Sequence, residues 1–209
     1  MMSFPDFFDQ APVIQLRDPL AELLGSATDG VMDYCYADVV RLAGHSCPTV
    51  AGAFLTTRAA LQVLYAGEMP ERGAIKVHMP EPESVGTTGV VAQVITLVTG
   101  AAAKGGFKGI GVRLTRRDLM SFAQAEMEND GLIRFERTDS GAAVLVKFDG
   151  HAVPADHSQK ERMQAVMHHS ETPEQQKEFA HLWQERVRKI LIEHADDPAL
   201  LTLVRLDSH

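Results

Sequence analysis

The stretch Gly44-His45-Ser46-Cys47-Pro48-Thr49, running on through Val50, Ala51, Gly52 and Ala53 to Phe54, governs the reading of the whole chain. Gly44 suits a helix stop, because glycine takes up the left-handed conformation that ends helices without a steric penalty. Pro48 suits a helix start, because the first helical N–H has no intrahelical partner and proline lacks that N–H. Two helices are therefore expected to meet over residues 44–48, with Cys47 at the cap of the second. A sulfur at the positive end of a helix dipole is favoured as thiolate. His45 lies two residues earlier, outside the helix, where its ring is free to turn toward the same point.

Outward from this bend, the first helix is expected over residues 32–42, with Tyr36, Val39 and Val40 on its apolar side. The second is expected over residues 48–65. Before them, a short strand over residues 13–16 precedes a helix capped by Asp18, with Pro19 at its first position and Gly25 at its end. After them, residues 74–79 alternate as a half-buried strand does. The apolar run 90–98 reads as a buried helix closed by Thr99 and Gly100. A strand is expected near residues 110–114 and a helix over 116–127, followed by a turn at Asn129-Asp130-Gly131. Residues 132–137 and 143–148 form a hairpin through the Asp/Ser/Gly turn between them. Thr172-Pro173-Glu174 opens a final helix on which Phe179, Leu182, Trp183, Val187, Ile190 and Leu191 recur at helical spacing. Helices and antiparallel strands in separate blocks imply an α+β fold. The expected organisation is a core over residues 1–154 and a helical extension over 155–209 packed on it.

The chain has 209 residues and a net charge of -8, which repels nucleic-acid phosphates and anionic lipid at long range. Arg113, Arg116 and Arg117 form a small basic spot that reads as a solvated turn or helix start. With only 2 cysteines, Cys35 and Cys47, neither a disulfide framework nor a four-cysteine zinc module is available. The first residues lack the basic start and apolar run of a signal peptide, and no run is long enough to span a bilayer. The expected setting is the reducing cytoplasm, with no membrane or nucleic-acid partner.

An imidazole and a thiolate together suit zinc, iron or copper, but two donors do not close a tetrahedral site. His78, at the end of its strand, and Glu83, in the next loop, are candidates for a third. Tyr34 and Tyr36 precede the motif by about one helix, as packing residues or as hydroxyls reaching the pocket. Lys104 and Lys108, in the glycine-bearing loop, are placed to hold an anionic substrate. That loop lacks the Gly-Lys-Ser/Thr run of a phosphate loop. His168, His169 and His181 read as surface residues, and Trp183 as the anchor of the last helix.

Residues 43–54 resemble the G-H-x-C-P-G-x-x-x-G signature of the FmdE-like family, named for a component of formylmethanofuran dehydrogenase. Residues 94–104 (Val-Ile-Thr-Leu-Val-Thr-Gly-Ala-Ala-Ala-Lys) resemble that family's second block, an apolar helix closed by a threonine-glycine stop and a glycine/lysine turn. The resemblance covers about residues 35–150. It implies an α+β core, a homodimer, and a metal-binding or active site lined by His45 and Cys47. The chain departs from the pattern in four places. Thr49 replaces the glycine after the proline, Val90 or a neighbour stands where a second cysteine is common, and Gln93 replaces an acidic residue. The cysteine-rich zinc finger that ends many members cannot form after Cys47.

These readings converge on a metal-binding protein, and possible metalloenzyme, with His45, Cys47 and His78 as ligands. His45 and Cys47 are also its catalytic candidates, Lys104 is its anion-binding residue, and zinc or iron is the expected ion. The alternative is a haem-binding or redox-sensing protein, for which the 9 methionines and an apolar helix would supply the pocket. A metal-free thiol nucleophile activated by His45 is the third reading.

Overall fold

In the computed structural model, which describes residues 4–111, 113–123 and 131–206, the chain folds around one long helix. A two-stranded antiparallel ribbon, β1 (Ile14–Arg17) with β2 (Val31–Tyr34), brackets the short helix α1 (Pro19–Leu23). Helices α2 (Tyr36–Ala43) and α3 (Pro48–Tyr65) follow, then β3 (Ile75–Met79) and α4 (Thr88–Thr99). The remaining elements are β4 (Met120–Phe122), β5 (Ile133–Arg137), β6 (Ala143–Phe148), α5 (Gln159–Met167), α6 (Pro173–Arg188) and β7 (Leu201–Leu206). Among the described residues, no helix is long and apolar enough to cross a membrane.

The main sheet runs β4-β3-β5-β6-β7, antiparallel throughout except for the parallel pair β3–β4, so the fold is α+β. Ile75, Val77, Phe135, Val144 and Val146 are fully buried on the face toward the helices. The alternate positions Lys76, His78, Arg134 and Glu136 fall on the other face, as the two-residue period of a strand requires.

Helix α3 lies between this sheet and helices α2 and α4, packing against β5, β6 and β7 on one side. Every residue from 50 to 57 is buried, which explains why the segment is apolar around its whole circumference. The side chains of Phe54, Leu55 and Leu61 are almost wholly removed from water, and each such burial is worth roughly 1.5–3 kcal/mol. Gly52 admits the sheet to within contact: a Cβ there would sit 2.5 Å from the Phe148 ring.

The chain before α3 turns at Gly44, whose φ of 75° ends α2 and whose N–H bonds the Val40 carbonyl. Pro48 opens α3 and Cys47 caps it, both as the sequence implies. The alternation at 74–79, the apolar helix at 90–98, the hairpin and the Thr172 cap also match their expected places.

Four stretches differ. Residues 31–34 are a strand and not the start of α2; Tyr36 begins the helix, after the Cys35 cap. Among the described residues of the expected strand at 110–114, a single bridge joins Ile110 and Arg113. The expected helix over 116–127 gives way to β4, which lies beside β3; residues 124–130 lie outside the described residues, with Asn129 and Asp130 of the expected turn. Residues 201–206, read from the sequence as part of a helical tail, pair with β6 along its full length. Strands β4 and β7 are short and draw their hydrogen bonds from β3 and β6, segments far away in sequence, so local pattern does not specify them.

Arg116 is not on a solvated turn. It is buried and ion-paired to Asp18, which also pairs with Arg72 at 2.9 Å and accepts N–H bonds from Leu20 and Ala21. Burial opposes ionisation of Asp18, but the Arg72 hydrogen bond, the Arg116 charge and the Leu20 N–H outweigh it and hold the carboxyl below its ordinary value.

Candidate functional site

The bend between α2 and α3 is held from two directions. Ser46 Oγ donates to Gln184 Oε1 at 2.9 Å, so the Tyr36 hydroxyl, 3.0 Å away, donates to Ser46 Oγ. The Ser46 carbonyl accepts from Trp183 Nε1 at 3.0 Å and from Gln184 Nε2 at 3.1 Å. Tyr36 is fully buried, and burial pushes its phenol pKa up, so it stays a donor. The residue between His45 and Cys47 is thus fixed by α2 on one side and α6 on the other.

Cys47 Sγ accepts the Val50 N–H at 3.4 Å, an N-cap bond made by sulfur in place of the usual oxygen. The side chain is only 8% exposed. His45 is exposed, and its Nδ1 lies 2.9 Å from the Ala43 carbonyl. A carbonyl only accepts, so Nδ1 carries the hydrogen and, in the neutral ring, Nε2 keeps its lone pair. A backbone bond of this type at one nitrogen is what orients ligating histidines and sets their tautomer.

Both residues line a pocket of about 440 Å³ with Pro48 and Thr49. Its other walls come from Phe148, Gly150 and His151 at the end of β6, and from Trp183 and Arg186 on α6. Arg186 Nε and Nη2 each donate over 2.8 Å, to the carbonyls of Val153 and Gly150. Burial shifts its pKa down. Among the described residues, no group of three His, Cys, Asp or Glu side chains is arranged to hold a metal ion, so this corner offers two donors and not a closed set.

The other sequence candidates lie elsewhere. His78 does not line this pocket; its Nδ1 is 2.5 Å from Ser121 Oγ across the β3–β4 pair. Burial lowers the His78 pKa, with the Glu136 charge opposing and Arg134 and Lys76 assisting. Lys104 and Glu83 line a second, open cavity of about 810 Å³ beside Ser121. Lys108, His168, His169 and His181 are exposed. The Tyr34 ring lies under the Arg72 guanidinium, 5.8 Å from its centroid. Cys35 caps α2, where burial and the Asp38 carboxylate raise its thiol pKa, and both cysteines are free.

His151, Gln184 and Arg186 were not among the sequence candidates. His151 stands alone in the turn after β6, and Gln184 and Arg186 lie on a polar helix that gives no sign of which face meets the bend. Trp183, the expected anchor of the last helix, tethers α6 to Ser46 through its indole N–H.

No protein-family model matches the chain, and no curated protein matches it. Among solved structures, it is similar to a tungsten formylmethanofuran dehydrogenase FmdE-like protein from Syntrophus aciditrophicus. The two are 16% identical, the match covers 84% of this chain and 74% of that one, and the TM-score is 0.42, a distant likeness of fold.

Proposed function

We propose that the protein binds a transition-metal ion, zinc or iron, through His45 Nε2 and Cys47 Sγ, leaving the remaining positions to small exogenous ligands. One observation carries this reading: the two donors line one pocket while the residue between them is pinned by Tyr36, Trp183 and Gln184. A nitrogen and a soft sulfur suit these ions, and holding both on a braced bend spares the ordering cost of a mobile loop. With two protein donors the centre is open, which is the arrangement of reactive and not of structural sites.

When bound, the ion supplies a Lewis acid or a redox centre. The chain's own part is to keep the His45 ring in the Nδ1–H form and to hold Cys47 Sγ at the helix cap. Elemental analysis of protein purified under reducing conditions without added metal tests the proposal. About one ion per chain is expected in the wild type, lost in both Cys47→Ala and His45→Ala. Wild-type protein that carries no stoichiometric metal, and takes up none on titration with zinc or ferrous iron, would refute it.

A further inference from the structure

We propose that the pocket beside His45 and Cys47 binds a small monocarboxylate with a planar apolar body, its carboxylate anchored on Arg186. The carboxylate site shares its pocket with the proposed metal corner but needs no bound ion.

Among the described residues, every other arginine that is not exposed pairs with a carboxylate, as Arg58 does with Asp196 and Arg134 with Glu136. Arg186 is half-buried, makes no ion pair, and spends Nε and Nη2 on neutral carbonyls. Its Nη1 has no hydrogen-bond partner among the described residues. A partly desolvated guanidinium without a counter-charge gains both charge pairing and hydrogen bonds from an anion that enters the pocket. Those two carbonyl bonds also hold the guanidinium in place, which cuts the ordering cost of binding.

The rest of the pocket brings no carboxylate to compete for the guanidinium. His45 and His151 are its other ionisable side chains besides Cys47, and no Asp or Glu lines it. Thr49 adds a hydroxyl that makes no hydrogen bond within the described protein. The apolar surface comes from Pro48, Phe148 and Trp183, which suits a flat hydrophobic body. A single guanidinium matches one carboxylate, and the protein's overall charge of -8 works against a dianion such as a phosphate monoester.

The chain has 1 tryptophan, Trp183, and it lines this pocket, so its fluorescence reports occupancy. Benzoate, benzamide and phenyl phosphate would be titrated into EDTA-treated wild-type protein, Arg186→Gln and Arg186→Lys, with circular dichroism confirming that each folds. Benzoate is expected to give a saturable change, with benzamide and phenyl phosphate at least tenfold weaker. Arg186→Gln is expected to weaken benzoate at least tenfold, and Arg186→Lys less, because lysine keeps the charge without the fork.

The proposal is overturned if benzoate gives no saturable change, if benzamide or phenyl phosphate binds as well, or if folded Arg186 variants bind benzoate unchanged. The benzoate–benzamide comparison decides the matter in the wild type even if both variants fail to fold. Loss of metal in Cys47→Ala is a separate measurement, so either proposal can fail alone.

Discussion

Trp183 Nε1 donates to the Ser46 carbonyl at 3.0 Å, joining residues 137 positions apart and tying α6 to the bend that carries His45 and Cys47. The same carbonyl accepts from Gln184 Nε2, so α6 grips the bend through two adjacent side chains.

Because Ser46 keeps a donor when one of the two is removed, Trp183→Phe is expected to cost about 1 kcal/mol, the net worth of one hydrogen bond. The Trp183→Phe/Gln184→Leu pair orphans the Ser46 carbonyl and should cost more than the sum of the single changes. Urea unfolding of all four proteins gives the cycle. Strict additivity would show that the two bonds do not share a task.

Gly52 should tolerate no side chain. A Cβ there meets the Phe148 ring at 2.5 Å, so Gly52→Ala is expected to destabilise by about 1–3 kcal/mol through overpacking. Adding Phe148→Leu should recover part of that loss. A Gly52→Ala protein that melts with the wild type would mean that the ring moves aside freely.

Asp18→Asn leaves Arg116 buried and Arg72 without its carboxylate, a change expected to cost about 3–5 kcal/mol. The Asp18 pKa is lower in the folded state, so its contribution is fully present above the unfolded value of about 3.9 and disappears as pH falls through the folded one. The stability gap between wild type and Asp18→Asn should therefore narrow in acid. A gap that is the same at neutral pH and in strong acid contradicts the ion-pair account.

His78 titrates with the opposite chemistry and the same slope. Its folded pKa is lowered, so below the unfolded value of about 6.5 the unfolded chain takes up a proton that the folded protein resists. Stability should decline as pH falls from about 6.5 through the folded pKa, and His78→Asn should flatten that decline. Unfolding midpoints between neutral and mildly acidic pH decide it; identical slopes in the two proteins would count against the assignment.

The architecture was legible wherever a local rule applied. The α+β arrangement follows from the alternation at 74–79, the hairpin over 132–148 and the helical periods of α3, α4 and α6. The second strand, β4 and β7 were not legible. Three to six residues of mixed character become a strand only when a partner edge is present, and the partner is chosen by the fold. Arg116 is illegible for a related reason: an arginine beside other arginines has the pattern of a solvated residue, and the carboxylate that neutralises it, Asp18, is 98 positions away.

By itself, the sequence determined the bend. Glycine's left-handed backbone and proline's missing N–H act within a single turn, so they place Cys47 at the cap of α3 and His45 just outside it whatever else surrounds them. Only the tertiary structure decided what faces that bend. Arg186 and His151 line its pocket, while Lys104 lines another cavity with Ser121 and His78 is hydrogen-bonded to that serine, because a pocket's walls come from elements brought together by packing over long range.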